Sequence, residues 1–149
     1  MAHIKLDGKI ILAGCLVISD KRELLLLFRK DHGHYETPGG KMDLQECSNP
    51  ESPSISDLAK TAKRELHEEL GDDIQVSDLE YFGCVEFKIP DGRLAIAHKF
   101  LTKIISGRPK INEPEIFTKF DYLPLDRLEV HPISPDLKLL LNKLKDIKL

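Results

Sequence analysis

The chain has 149 residues, of which 41% are hydrophobic, and a formal net charge of -3 at pH 7. A chain of this size can bury one core, so we predict a single domain over residues 1–149. The acidic balance disfavours general binding to nucleic acid or to anionic membranes.

The cysteines and the N-terminus bear on the compartment of the protein. Cys15, Cys47 and Cys84 have no paired spacing, which is typical of reduced thiols. Residues 1–6 lack a signal-peptide core, and no apolar run approaches the roughly 20 residues of a membrane span. We therefore expect a cytoplasmic protein.

Two strands and a glycine turn are predicted in the N-terminal part of the chain. Residues 9–19 are typical of a buried strand, residues 20–23 of a turn, and residues 24–30 of an antiparallel partner strand. The segment Pro38–Gly40 follows as a turn whose backbone can approach another group closely and whose carbonyls can face a metal.

A helix is predicted before Gly71, which is a natural C-cap. Ser54 and Ser56 are its N-cap candidates. Its apolar stripe, at helical spacing, consists of Leu58, Ala59, Ala62, Leu66 and Leu70.

Three glutamates on this helix, Glu65, Glu68 and Glu69, carry the strongest indication of function. They stand at i, i+3 and i+4, so about 100° per residue places them within an arc of roughly 100°. Acidic runs on helices are usually solvated faces, but Glu65 and Glu69 adjoin the apolar stripe. Their like charges would repel one another without a cation. Carboxylates with no neighbouring Cys or His cluster in the sequence favour Mg²⁺ or Mn²⁺ over Zn²⁺.

The second half of the chain predicts a further hairpin, from residues 79–89 and 93–105 about a turn at 90–92. Residues 116–122 predict another strand, and residues 123–128 a short helical turn. These strands are separated from the first pair by the long helix.

A C-terminal helix is predicted after Ser134, with Pro135 at its first position and Asp136 in its first turn. Its apolar stripe indicates core packing rather than membrane binding and comprises Leu137, Leu140, Leu141, Leu144 and Ile147. Strands interrupted by one helix and closed by another indicate an α+β fold.

Two motifs in this order of elements resemble the Nudix hydrolases, whose signature is Gly, five residues, Glu, seven residues, then Arg-Glu-aliphatic-x-Glu-Glu-x-Gly. Gly40 and Glu46 have the first spacing. The second half of the signature is matched by Arg64, Glu65, Leu66, Glu68, Glu69 and Gly71. The resemblance implies the Nudix-type α/β/α sandwich with a mixed β-sheet.

The chain departs from the signature at two places. Seventeen residues rather than seven separate Glu46 from Arg64, so ten extra residues interrupt the motif. Closure entropy grows slowly with loop length, so an insertion there can be tolerated, and we expect it to lie close to the cleft. It makes Glu51 an alternative to Glu46. Asp72 stands where the family has an aliphatic residue.

The resemblance implies Mg²⁺-dependent hydrolysis, with Mn²⁺ as an alternative ion, of a nucleoside diphosphate linked to another group. On this reading Glu68 and Glu69 are metal ligands, Glu65 is a ligand or the base, and the Gly40 carbonyl is a backbone ligand. Arg64 is predicted to hold a carboxylate through a forked pair of hydrogen bonds.

Other candidate residues lie outside the helix. The resemblance implies that a Glu-Pro-Glu loop approaches the metals, and Glu115 is the expected extra ligand or base from this loop. Residues predicted to contact substrate are Gly39, Lys41, Tyr35 and His98, and His32 and His34 are placed at the flank of the pocket. For His98, on an apolar strand, a core position is the competing interpretation.

The favoured substrate is a nucleoside triphosphate, normal or oxidised, cleaved to a monophosphate and pyrophosphate. ADP-ribose or a nucleotide sugar is the alternative, and the partner is in each case a small-molecule nucleotide, with a homodimer left open. An isoprenoid diphosphate isomerase would require a catalytic cysteine that the three scattered cysteines do not clearly supply. A noncatalytic sensor should have a degraded motif, whereas the three glutamates are intact.

Overall fold

The computed structural model describes residues 3–148. Within them, the α-helices are α1 (Ile55–Leu70) and α2 (Pro135–Lys145), and short 3-10 helices lie at Leu44–Glu46 and Leu125–Val130. The strands are β1 (Lys5–Leu6), β2 (Lys9–Val17), β3 (Glu23–Arg29), β4 (His34–Glu36), β5 (Gly39–Lys41), β6 (Gln75–Val76), β7 (Glu80–Lys88), β8 (Leu94–Thr102), β9 (Ile104–Ser106) and β10 (Phe117–Pro124).

A five-stranded mixed sheet forms the centre of the molecule. Its strand order is β1-β2-β8-β7, and β5 also pairs with β2. β2 and β8 run parallel, whereas the other pairs in this sheet are antiparallel. β7 and β8 form the predicted second hairpin, so that prediction is confirmed.

The predicted first hairpin is wrong, because β3 belongs to a different sheet. β3 pairs with β10 and β4 in a three-stranded antiparallel sheet. Between β2 and β3 there is an isolated bridge at Ile18 and Leu24. One edge of β2 is taken by β8 and the other by β1 and β5, so β3 has no free edge of β2 to join.

The two helices cover opposite faces of the sheets and give the α/β/α sandwich. Side chains alternate along β2, so Ala13 and Cys15 pack with the buried face of α1, which includes Leu66. Leu16, on the other face, packs with Leu137 of α2. No helix within residues 3–148 combines the length and apolarity needed to span a membrane.

Local signals set the ends of α1. The Ser54 hydroxyl oxygen accepts a hydrogen bond from the Asp57 N–H at 3.0 Å, which caps the N-terminus. Gly71 ends the helix at φ +91°, a value that disfavours residues with a side chain, and its N–H donates to the His67 carbonyl. The predicted stripe is buried at Leu58, Ala62, Leu66 and Leu70.

Candidate active site

A cavity of about 300 Å³ opens beside strand β5. Gly39, Gly40 and Lys41 of β5 line one side of it, and Lys99 of β8 and Asp136 of α2 line another. The predicted site residues Gly39, Gly40 and Lys41 therefore do border a cavity. Its volume lies at the small end of the range of ligand pockets.

The predicted turn at Pro38–Gly40 is wrong for its two glycines, which belong to strand β5, and β5 is in direct contact with α1. The Gly39 N–H donates a hydrogen bond to Glu69 Oε1 at 2.8 Å. A Cβ atom added at Gly40 would lie 2.5 Å from Glu65 Cδ, so a side chain at this position would collide with the Glu65 carboxylate. The two glycines thus allow two glutamates of α1 to lie directly against β5, whereas Glu65, Glu68 and Glu69 are not among the residues that line the cavity.

Glu69 is a buried carboxylate and Glu65 a partly buried one, and both lie in a negatively charged neighbourhood. Glu69 is 4% exposed. Burial raises the pKa of Glu69 well above its ordinary value, the charge of Glu65 adds to this, and the hydrogen bond from Gly39 opposes it. Burial also raises the pKa of Glu65 from 4.5 to about 7, with Glu68 adding and Arg64 opposing. Both carboxylates would gain from a cation nearby.

Arg64 joins the two halves of the motif. Its Nε and Nη2 donate to Glu46 Oε2 at 2.8 Å and Oε1 at 2.9 Å, a forked pair. Its Nη1 donates to Glu65 at 2.9 Å and to Glu68 at 3.0 Å, and Nη2 also reaches the Lys41 carbonyl. Burial opposes ionisation of Glu46, but the hydrogen bonds from Arg64 hold the pKa of Glu46 below its ordinary value.

Glu46, and not Glu51, therefore takes the place next to Arg64. Glu51 lies exposed in the inserted segment. The N–H and hydroxyl of Ser48 both donate to Asp57, which ties the segment to the start of α1. None of residues 47–54 lines the cavity, which differs from the expected position near the cleft.

The donor set around α1 consists of oxygen atoms, which fits a hard divalent cation such as Mg²⁺. Glu68 is half-exposed and is held by Arg64. The ligand atoms of Glu65, Glu68 and Glu69 do not come within 4.8 Å of one another as a set of three, although such a set exists elsewhere in residues 3–148. A shared cation would require Glu65 or Glu68 to turn away from Arg64.

From the Glu-Pro-Glu loop, it is the charge of Glu113 that acts on the α1 glutamates, whereas the residue predicted from the sequence was Glu115. The Asn112 side chain donates to the Glu68 carbonyl at 3.0 Å, and the Asn112 N–H donates to the Glu69 carbonyl, which docks this loop on the end of α1. The charge of Glu113 contributes to the raised pKa of both Glu65 and Glu69. Glu115 is exposed and acts electrostatically on Glu113.

Two residues predicted to contact substrate lie away from the cavity. Ala97 and Lys99 line the cavity, so alternation along β8 places His98 on the opposite face, where its Nδ1 lies 2.9 Å from the Tyr81 hydroxyl. Tyr35 is buried on the face of β4 opposite His34 and Glu36, and its hydroxyl donates a hydrogen bond to Asp121 at 2.7 Å. By contrast, His32 and His34 do line the cavity.

The pair of Lys99 and Asp136 was not predicted from the sequence. Lys99 Nζ lies 2.7 Å from Asp136 Oδ2 and donates to the Thr37 hydroxyl at 2.7 Å, and all three residues are buried and line the cavity. Burial opposes ionisation of Asp136, but the charge of Lys99 holds its pKa below the ordinary value. The sequence feature that could have indicated this pair was a lysine, Lys99, within a largely apolar strand.

Comparison with known proteins places this site in context. A sequence model described as the NUDIX domain matches residues 9–144. The MutT NUDIX hydrolase from Burkholderia pseudomallei superposes with a TM-score of 0.72 at 23% identity, over 91% of this chain and 98% of that chain. The MutT protein from Methanosarcina mazei Go1 gives a TM-score of 0.69 at 22% identity, over 95% and 96%.

A third similar structure holds a ligand. The NUDIX domain of Shewanella oneidensis NrtR, solved in complex with ADP ribose, has a TM-score of 0.70 at 16% identity, over 94% of this chain and 88% of that chain. At these identities the superpositions show the shared fold. No curated protein matched the sequence.

Proposed function

Because this chain belongs to the Nudix family and is a Nudix hydrolase, we propose that it uses a divalent cation to cleave a phosphoanhydride bond of a nucleotide. The observation that carries the proposal is the contact of Glu65 and Glu69 with Gly39 and Gly40 of β5, which line a cavity. A phosphoanhydride bridge is polyanionic, so its hydrolysis requires cations beside it.

Each residue of the motif has a role in this proposal. Glu65, Glu68 and Glu69 would hold the cation together with the Gly40 carbonyl. Bound there, Mg²⁺ or Mn²⁺ would neutralise phosphate oxygens and act as a Lewis acid on the bridge. Arg64 positions these carboxylates and does not contact substrate, since its guanidinium is taken up by Glu46, Glu65, Glu68 and the Lys41 carbonyl.

We assign the additional acidic role to Glu113 in place of Glu115. Glu113 is half-buried beside α1, and Glu115 points to solvent. The substitutions Glu113→Gln and Glu115→Gln test this assignment as a matched pair. We expect turnover to fall by at least about a hundredfold for Glu113→Gln, which is the low end of what a positioned acid or base contributes. Equal turnover of the two variants would remove Glu113 from the reaction.

The proposed substrate is a nucleoside triphosphate, normal or oxidised, cleaved to a monophosphate and pyrophosphate. The cavity of about 300 Å³ suits one nucleoside better than a ligand with two sugars. Phosphates would lie at Gly39–Lys41, and the base at the end formed by Lys99 and Asp136, where a donor and an acceptor stand together. ADP-ribose is the second candidate, because the NrtR NUDIX domain was solved with ADP ribose.

An isomerase acting through a cysteine is disfavoured. Cys15, Cys47 and Cys84 do not line the cavity that the described residues form. Burial raises the pKa of the Cys15 thiol to about 12, which keeps it protonated and weakly nucleophilic.

A panel of nucleotides incubated with Mg²⁺, with the products separated, tests the proposed reaction. The panel comprises the normal and oxidised triphosphates, ADP-ribose and nucleotide sugars. Pyrophosphate plus a monophosphate is the expected product pair. AMP plus ribose phosphate would move the assignment to ADP-ribose, and no hydrolysis of any member with Mg²⁺ or Mn²⁺ would overturn it.

A further inference from the structure

A second group of side chains of the types that ligate metals lines the cavity, on β4 and in the turn before it. His32 stands in the turn between β3 and β4, and His34 and Glu36 project from β4 on the face that lines the cavity. One ligand atom from each of the three residues lies within 4.8 Å of the other two. His34 Nε2 is 3.1 Å from Glu36 Oε2.

The hairpin itself brings these residues together. Gly33 adopts φ +66° between the two histidines, and its N–H donates to the Arg29 carbonyl at 2.9 Å. His34 then pairs with Arg29 across the strands, and alternation returns Glu36 to the same face. The centroids of the two imidazole rings are 5.3 Å apart. The three groups therefore stand on one short, hydrogen-bonded element.

The two ring nitrogens of His32 differ in their surroundings. Its Nε2 lies 3.8 Å from the Asp31 carboxylate. Its Nδ1 is buried and has no hydrogen-bond partner among the groups of residues 3–148. The separation of 3.8 Å at Nε2 is too long for a hydrogen bond, so Asp31 does not hold the ring by one. The arrangement leaves Nδ1 available to a ligand.

Arg29 is the one cationic side chain paired with this group within the described residues, and it does not occupy the oxygen nearest the histidines. Its Nη1 lies 3.5 Å from Glu36 Oε1, whereas Oε2 faces His34. One carboxylate oxygen is thus paired with the guanidinium, and the other remains beside the imidazoles.

We propose that His32, His34 and Glu36 bind a transition-metal cation of the Zn²⁺ type at a site separate from the glutamates of α1. Two imidazoles and one carboxylate suit Zn²⁺, Co²⁺ or Ni²⁺, whereas the oxygen donors of α1 suit Mg²⁺. Three protein ligands leave a tetrahedral position open. Because all three residues line the cavity, that position is accessible to a water or to a ligand in the cavity.

Titration of the whole protein with Zn²⁺ in excess Mg²⁺ tests this site, with Co²⁺ as a spectroscopic probe. We expect one Zn²⁺ per chain, and visible Co²⁺ absorption typical of nitrogen and oxygen ligands. The double variant His32→Gln/His34→Gln should lose Zn²⁺ affinity by at least about a hundredfold, because loss of an outer partner alone already costs about 10- to 100-fold. Glu36→Gln provides a second variant should the double variant fold poorly.

Two controls separate this site from the rest of the molecule. His98→Gln removes a histidine on the face of β8 that points away from the cavity, and this variant should retain Zn²⁺ affinity. Glu69→Gln alters the α1 site and should also retain it. Wild-type affinity in both cluster variants would overturn the proposal. So would loss of the Co²⁺ absorption in Glu69→Gln with retention in His32→Gln/His34→Gln, since the ion would then sit at α1.

Discussion

Two charged regions of the molecule differ in how their burial is compensated: one lines the cavity, and the other lies on α1 behind Gly39 and Gly40, which line it. The first region, which we call the floor, consists of Lys99 of β8 and Asp136 of α2. These two residues form an ion pair at 2.7 Å, so each buried charge has a partner of opposite sign. The second region, which we call the wall, consists of Glu65, Glu68 and Glu69 on α1. Glu69 is buried and Glu65 is partly buried beside further carboxylates, and burial raises the pKa of both. The floor needs no ligand for its stability, whereas the wall gains from a cation. Substitution should therefore destabilise the protein at the floor, and should leave the metal-free protein as stable or slightly more stable at the wall.

The largest effect is expected at the floor. Asp136→Ala leaves the Lys99 ammonium buried without its partner, and breaking a buried pair in this way typically costs about 3–5 kcal/mol of unfolding free energy. Urea unfolding measures the loss. The double variant Lys99→Met/Asp136→Leu should recover most of it, because no unpaired charge remains.

A matched control for this loss is an exposed ion pair. Lys103 Nζ and Asp20 Oδ1 are also 2.7 Å apart, but their side chains are 52% and 89% exposed. Asp20→Ala should change the unfolding free energy little, as surface pairs generally do. If Asp20→Ala cost as much as Asp136→Ala, burial of the floor pair would not be the cause of its importance.

At the wall, the expected loss is in activity and not in stability. Glu69→Gln should lower turnover by at least about a hundredfold, as expected for removal of a charge that holds the catalytic cation. The amide oxygen can still accept the Gly39 N–H, so the metal-free protein should be as stable as the unmodified one. Pyrophosphate release with saturating Mg²⁺ and urea unfolding in EDTA measure the two quantities. Near-normal turnover would remove Glu69 from the site.

The wall should also make the metal-free protein sensitive to pH. Glu65 has its pKa raised to about 7 in the folded protein, above its ordinary 4.5. The folded state therefore binds more protons than the unfolded state between these values, and unfolding free energy in EDTA should fall as pH rises from about 4.5 to 7. Glu69, whose pKa is also raised by burial, adds to this fall.

Two further measurements test the origin of this pH dependence, one with Mg²⁺ added and one with the variant Glu65→Gln. Saturating Mg²⁺ should flatten the pH dependence, because the cation favours the ionised carboxylates. In EDTA, Glu65→Gln should reduce the slope without abolishing it, since Glu69 remains. Urea unfolding across this pH range is the measurement. A metal-free protein that became more stable with rising pH would contradict the raised pKa of Glu65.

The smallest effect is expected at Glu68, the half-exposed member of the wall. Glu68→Gln removes one like charge, so the metal-free protein should be as stable or more stable by about a few tenths of a kcal/mol. For the unmodified chain, Mg²⁺ at about a hundredfold over its Kd should add about 2.7 kcal/mol if it binds the folded state alone. Glu68→Gln should weaken that gain, as thermal melts across an Mg²⁺ titration would reveal. Identical responses of both proteins to Mg²⁺ would argue against Glu68 as a ligand.

Features that depend on neighbours in the sequence were predictable from the sequence alone. The limits of α1 follow from Ser54 and Gly71, and its buried face follows from the spacing of residues such as Leu66. The spacing of Glu65 and Glu69 relative to this stripe placed them at the rim of the core. These predictions succeed because helix caps and helical periodicity act over one or two turns.

Face assignment along the strands required the tertiary structure. Alternation predicts that His98 and Lys99 point to opposite faces, and that Tyr35 points away from His34 and Glu36. It does not say which face borders a cavity, because these strands lie between layers on both sides. Tyr35 and His98, chosen from the sequence, are therefore displaced by one position from residues that line the cavity, whereas Gly39 and Lys41 do line it.

The partners of the charged groups were likewise decided by contacts between distant segments. Glu46 reaches Arg64 across 18 positions and Lys99 reaches Thr37 across 62, so no local pattern could identify either pair. The motif helix and the longer strands were determined by the sequence alone, because short-range periodicity and capping specify them, whereas the short strands β1, β4, β5 and β6 were not predicted. Which charges meet around the cavity was decided by the tertiary structure, because electrostatic interactions depend on distance in space and not on separation along the chain.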